Sequence, residues 1–288
     1  MAANTGATFL RIMLGAELAR LRENAGLSGE QAAKAAKCAA STITNLEKGT
    51  TGFRRIGQYV DLLTAYSVDD EGQELLLDWY KNAKGDDWWT PNVSVLPSGM
   101  PAYLGFESGA KTLSPWCPGV VYGLLQTEEY ARELMLSAKA ADETTTDFID
   151  SAVAVRINRK KLITEGGLEL VCLMDESALT NMVGNPDVMH CQYEEITRLA
   201  KLPNVTVQII PATAPAYRLT AGNFTVLDFD RKALPGPVVS ASTVVGAVQV
   251  ISKQKVVKRF SRRFDFLTRG ALPDHETPGF LERLARRA

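Results

Sequence analysis

Between residues 10 and 84, apolar side chains recur every three or four positions and are interrupted by glycines or short polar turns. This rhythm predicts a run of short amphipathic helices. In the first, Leu14, Leu18, Leu21 and Ala25 form one stripe, and Gly26 ends it in the manner of a left-handed cap. Ser28 opens the second, and Gln31 three residues later completes a capping box. The Ala-rich stretch 31–36 lets a neighbouring helix come close. A third helix, 39–48, stops at Gly49 and turns Ile43 and Leu46 inward. A fourth, 54–66, is expected to bury Ile56, Val60 and Leu63, and a fifth, 70–84, to bury Leu75, Leu76, Trp79 and Tyr80.

The rhythm breaks over 85–101, where Gly85, Pro91, Pro97, Gly99 and Pro101 mark a connection that Trp88 and Trp89 would pack down. Beyond it, runs of strand length alternate with helical periods. A short buried strand or turn at 120–126 precedes a helix capped by Thr127, with Glu128 and Glu129 favouring its dipole. A longer helix follows over 146–163. Strands are expected at 168–174, 205–210, 224–229 and 238–245, with helices introduced by Asp175 and Pro186. A basic helix over 249–269 closes the domain. The order predicts an α plus α/β protein: a five-helix domain over 1–84, a linker over 85–102 and a larger mixed α/β domain over 103–288.

Composition narrows the class. Apolar residues make up 45% and charged residues 23% of 288, the make-up of a globular protein, and no run of 18 apolar residues predicts a membrane span. The first residues lack a basic segment followed by an apolar core, so a cytoplasmic location is expected. Cys38, Cys117, Cys172 and Cys191 are scattered, without the close pairs of a zinc site or the density of a disulfide framework. The net charge of −1 conceals an uneven distribution. Residues 1–85 are neutral, 251–288 carry +6, and 86–250 therefore carry −7. Nucleic-acid affinity in the first segment must come from a few well-placed groups rather than a strong field.

The candidate chemistry lies in 27–49. Two short helices at a steep angle need small residues where they cross, which Ala32, Ala33 and Ala36 supply, while Ile43 and Leu46 fill the angle. The outer face of the second helix is then Ala40, Ser41, Thr44, Asn45 and Lys48. These short, mostly polar side chains suit a helix lowered into the major groove of double-stranded DNA, whereas a merely solvated face would be richer in Glu and Lys. Arg54 and Arg55, opening the next helix, are candidates for phosphate contacts.

The stretch LGAELARLRENAGLSGEQAAKAAKCAASTITNLEKG resembles the Xre-type (phage Cro and repressor) helix-turn-helix family over about residues 14–66. The resemblance implies base-facing positions at Ala40, Ser41, Thr44 and Asn45, and backbone contacts at Ser28 and Gly29. It further implies a structural pair between Arg22 and Glu47, which the residues alone would leave as two independent surface charges. Two departures stand out. Ala39 occupies the cap position where Ser or Thr is usual, at a cost of about 1 kcal/mol. Ala40 touches a thymine methyl but reads no hydrogen-bonding edge, so readout falls on Asn45, Ser41 and Thr44. One such unit offers little surface, so a homodimer on a two-fold site is expected.

The larger domain offers less chemistry. His190 and His275 have no second ligand at metal spacing, and Asp175-Glu176 is explained by helix capping more simply than by acid–base work. No nucleotide-loop or nucleophile-elbow motif is present, and no enzyme and no cofactor is expected. The basic helix (Lys253, Lys255, Lys258, Arg259, Arg262, Arg263) either assists DNA binding or holds an acidic partner, or is a solvated face with Val256, Val257 and Phe260 inward. GLLQTEEYAREL, RINRKK, MDESALTNMVG, LAKLPNVTVQIIP and GNFTVLDF together resemble the domain of unknown function that follows the Xre module in WhiJ-like actinobacterial regulators. The resemblance implies a transcriptional regulator, often encoded beside a small partner protein that is a candidate antagonist. Within the motif segments, Gln126, Tyr130, Arg156 and Phe224 are candidate pocket residues for a small-molecule effector. For Gln126 and Tyr130 the simpler role is pinning the turn before the helix, and for Phe224 a place in the core. Rival readings are an antitoxin-like or scaffold protein in which protein binding is primary, and an enzyme fused to a helix-turn-helix.

Overall fold

The computed structural model describes residues 6–52, 55–141, 143–215, 221–229, 237–242 and 247–286. They fall into two compact units. One holds the described residues of Met1–Thr90 together with Leu104–Gly109, and the other those of Pro91–Tyr103, Ala110–Phe229 and Gly236–Ala288.

The first unit is helical: α1 (Ala7–Asn24), α2 (Gly29–Ala35), α3 (Ala40–Glu47), α4 (Ile56–Ala65) and α5 (Asp70–Asn82). Local chemistry sets its boundaries. Gly26 and Gly49 adopt left-handed φ values of 67° and 68°, as their places after α1 and α3 require. At α2 the Ser28 hydroxyl accepts from the Gln31 N–H at 3.2 Å, and Gln31 Oε1 accepts from the Ser28 N–H at 2.8 Å. Asp69 caps α5 by accepting from the Gly72 N–H at 2.9 Å, with Asp70 and Glu71 in the first turn. The core gathers Phe9, Leu10, Met13, Leu14 and Leu18 of α1 with Ile43 and Leu46 of α3 and Leu62 and Leu63 of α4.

The helix expected over 54–66 differs in register. It buries Tyr59, Leu62 and Leu63, while Ile56 and Val60 are 45% and 37% exposed. Aromatic Tyr59 packs against Tyr80 with centroids 4.2 Å apart, and so claims the inner face that the aliphatic spacing had assigned to Val60. Leu75 on α5 is likewise exposed. The stretch after Lys84 is not slack: Asp87 and Trp89 are buried, and α6 (Met100–Gly109) is a helix that the glycines and prolines concealed.

The second unit is built on a sheet of six strands among the described residues: β1 (Thr112–Cys117), β2 (Glu169–Asp175), β3 (Val205–Ile210), β4 (Phe224–Asp228), β5 (Val238–Ser242) and β6 (Val248–Ile251), in the order β3-β2-β1-β4-β5-β6. The β1–β2 and β2–β3 pairs are parallel, and the remaining three pairs are antiparallel. Its helices are α7 (Glu128–Ala138), α8 (Thr146–Asn158), α9 (Lys161–Thr164), α10 (Ser177–Thr180), α11 (Pro186–Leu199), α12 (Gln254–Thr268) and α13 (Thr277–Ala285). Strand β1 was unforeseen because Pro115 sits inside it. Pairing with β2 is registered at Thr112–Leu113 and again at Trp116–Cys117, with no partner at Ser114 or Pro115, as befits a residue without an N–H. The expected strand or turn at 120–126 is a turn containing a short 3-10 segment, Gly123–Leu125. The expected basic helix gives its first residues to β6, and α13 follows where no helix had been anticipated. Val257, Phe264 and Leu267 of α12 cover one face of the sheet, over Trp116, Leu173, Ile210, Phe224, Val226 and Val239.

Candidate nucleic-acid interface

Helix α3 is held by its inner face and by both ends. Ile43 and Leu46 are almost wholly buried, and Ala32, Ala33 and Ala36 lie buried where α2 packs on it. At its N-terminus Ala39 provides no side-chain cap, as the sequence implied. At its C-terminus Arg22 of α1 donates from Nε to Glu47 Oε1 at 2.5 Å and from an Nη to Glu47 Oε2 at 3.1 Å, and donates again to the Leu27 carbonyl at 3.0 Å. One guanidinium thus ties the end of α1, the following loop and the end of α3. The hydrogen bond to Glu47 pushes the Arg22 pKa above its ordinary value, against the opposing effect of burial.

Both side chains of this pair are about one-sixth exposed, at 17% and 16%, so the pair is worth more than a surface bridge and less than a fully buried one. Glu47→Ala is expected to lower stability by about 2 kcal/mol, read as a fall in the urea midpoint at constant slope. A double-mutant cycle with Arg22→Ala should return most of that as coupling. A cycle with no coupling would return the two residues to independent surface charges.

The opposite face of α3 is exposed among the described residues. Ala40, Ser41, Thr44, Asn45 and Lys48 are all exposed, and Thr44 back-bonds to the Ala40 carbonyl at 3.3 Å. Ser28 is exposed and Gly29 half-buried at the start of α2, and Arg55 is exposed at the cap of α4; Arg54 lies outside the described residues. One feature escaped the sequence reading. Gly15, in the middle of α1, has no room for a Cβ, which would stand 2.4 Å from the Leu46 carbonyl oxygen and 2.7 Å from that of Glu47. The signal was present: a glycine inside a strongly helical pattern costs about 1 kcal/mol and needs a packing reason.

The pocket candidates of the second unit divide. Gln126, Tyr130 and Arg156 come together. Gln126 Nε2 donates to the Val121 carbonyl at 2.7 Å, the Val121 N–H donates to the Tyr130 hydroxyl at 3.3 Å, and Arg156 donates to Gln126 Oε1 at 2.9 Å. Gln126 and Tyr130 are buried and pin the 121–130 turn. Phe224 lies apart from them in the sheet core, edge-on to Phe260 at 5.1 Å. Asp175 and Glu176 serve the local backbone: Asp175 Oδ1 accepts from the N–H and hydroxyl of Ser177, and Glu176 accepts from the Ala212 N–H at 2.7 Å. Among the described residues no three His, Cys, Asp or Glu side chains cluster as metal ligands, and His190 faces Glu194 at 3.3 Å. No helix of the described residues is long and apolar enough to cross a membrane.

Two family models match the chain. Residues 13–76 match the model of a helix-turn-helix domain, the class of DNA-binding module to which α1–α5 conform. Residues 100–283 match the domain of unknown function DUF5753, and the chain belongs to that family. No curated protein and no solved structure matches the chain.

Proposed function

We propose that the chain is a cytoplasmic, sequence-specific transcriptional regulator of the Xre type, related to the WhiJ-like actinobacterial proteins. It acts without enzymatic activity, as a homodimer whose larger domain senses a small molecule or a partner protein such as a small antagonist. The observation that carries the reading is the face of α3. Five exposed side chains, four of them small and polar or apolar and one a lysine, stand on a helix whose other side is locked into the core. A face built only for solubility has no need of Asn45 between Thr44 and Lys48, exposed and with its side-chain amide unengaged among the described residues.

The dimer reading draws on two facts. A single helix of eight residues reaches few base pairs, and Ile56 and Val60 leave an apolar strip on α4 on which a second copy would seat. The two α3 helices would then enter successive major grooves about 34 Å apart.

Selection of DNA from a random pool by the full chain, followed by anisotropy titration, tests the reading. A two-fold consensus is the expected outcome. Asn45→Ala should cost about 1–3 kcal/mol of binding and relax preference at one base position per half-site. Enrichment of no sequence would overturn it, and an unchanged preference in Asn45→Ala would show the docking register to be wrong.

A further inference from the structure

The second unit contains a cavity of about 480 Å³, within the ~300–1,000 Å³ range of small-molecule sites. One wall is a single stripe of α8: Phe148, Ala152, Val155 and Arg156, continued by Arg159 at the helix cap. These residues follow one another at intervals of four, three, one and three, so they share a helix face. The stripe is apolar from Phe148 to Val155, ~10 Å along the axis, and cationic beyond it. Facing it are Leu134 and Met135 of α7 and Leu96 and Met100, all half-buried, with apolar surface left open to the cavity. Among the described residues the lining contains no Asp or Glu.

Arg156 and Arg159 stand together at one end of the apolar cleft. Arg159 is buried, with its guanidinium 5.5 Å from the centre of the Tyr103 ring. Arg156 has no carboxylate partner among the described residues and gives one of its five N–H groups to Gln126. Its desolvation, and next the like charge of Arg159, bring the Arg156 pKa down to about 10, with Tyr130 acting in the opposite sense. Half-buried Arg156, with no carboxylate partner among the described residues, is suited to an anion from outside. The planar fork of Arg156, held by Gln126, presents its remaining donors in the geometry that a carboxylate accepts.

We infer that this cavity is the binding site for a small amphipathic organic acid, whose carboxylate lies on Arg156 and whose apolar body runs along α8 towards Phe148. The inference deepens the sensing reading above and rests on it for the effect on DNA. Occupancy of the site is a separate matter, measured separately.

Calorimetric titration of the full chain with decanoate, whose alkyl chain matches the apolar length of the stripe, is the direct test. Saturable binding at one site per chain is expected below ~1 mM, with 1-decanol and decyltrimethylammonium at least ~tenfold weaker, since each keeps the body and loses the anion. Arg156→Gln should weaken decanoate at least ~tenfold. Ala152→Phe, which fills the middle of the cleft without touching the arginines, should remove binding, and it keeps the test alive if Arg156→Gln fails to fold. No saturable binding of decanoate, equal binding of decanol, or full binding by folded Ala152→Phe would each overturn the site. Decanoate binding that leaves affinity for the selected DNA unchanged would retain the site and remove the sensing role.

Discussion

Gly49→Ala is expected to destabilise the helix-turn-helix domain by about 3 kcal/mol, and Gly15→Ala by about 2 kcal/mol, with loss of DNA binding in both. On an exposed helix, Gly→Ala at position 15 would stabilise by about 1 kcal/mol through propensity alone, so the sign itself is diagnostic. The reversal comes from backbone meeting backbone. A Cβ on Gly15 would stand 2.4 Å from the Leu46 oxygen, 2.7 Å from the Glu47 oxygen and 2.9 Å from the Gly49 nitrogen. A Cβ on Gly49 would stand 2.6 Å from the Ile12 Cα and 2.8 Å from its nitrogen, at a φ of 68° that costs a side chain about 1 kcal/mol more. No rotamer relieves these clashes, so the end of α3 must move. Moving it pulls Glu47 from Arg22 and tilts the face that bears Asn45. Urea unfolding with anisotropy on selected DNA measures both consequences. A Gly15→Ala variant that is as stable as the parent and binds normally would show that α1 and α3 are not in backbone contact.

What the sequence disclosed and what it withheld follow from the range of the interactions. Caps and turns are local, so Ser28, Gln31, Gly26 and Gly49 could be placed from spacing alone, and the exposed face of α3 followed from Ile43 and Leu46. The face of α4 was misjudged because the period of Ile56, Val60 and Leu63 competes with that of Tyr59, Leu62, Leu63 and Tyr66, and only tertiary partners such as Tyr80 decide between them. Strand β1 was hidden by Pro115, and β6 by its fusion with the basic run of α12. The Arg22–Glu47 pair, 25 residues apart, came only through resemblance to a known family. Arg156 and Gln126 were picked out from motif segments, but Arg159 and the apolar stripe leading to it emerge only when α7, α8 and the 95–100 segment are seen around one cavity.

The second large effect is expected at a residue that the sequence reading had placed in a linker. Asp87→Ala should lower the stability of the N-terminal unit by about 3 kcal/mol. Helix α1 starts at Gly6 without a side-chain cap, which leaves its first N–H groups unmet by local chemistry. Asp87, 79 residues away, supplies the missing acceptor: its Oδ2 takes the Thr8 N–H at 3.0 Å and the Thr8 hydroxyl at 2.5 Å. The carboxylate is almost fully buried, with Arg11 at 3.7 Å. Its negative charge at the positive end of an 18-residue helix gains from the dipole, and the absence of a side chain at Gly6 is what admits it, since a Cβ there would lie 2.4 Å from Asp87 Oδ1. Removing the carboxylate therefore removes a cap, a charge-assisted bond and the counter-charge of Arg11 together. Arg11 also holds the Ala83 carbonyl at 2.8 Å, so the loss spreads to the end of α5. Asp87→Asn keeps an acceptor and loses the charge, and about half the effect should remain. If Asp87→Asn and Asp87→Ala unfold at the parent's urea midpoint, α1 is not capped across the domain, and the 85–101 segment is the simple connection that its glycine and proline content suggested.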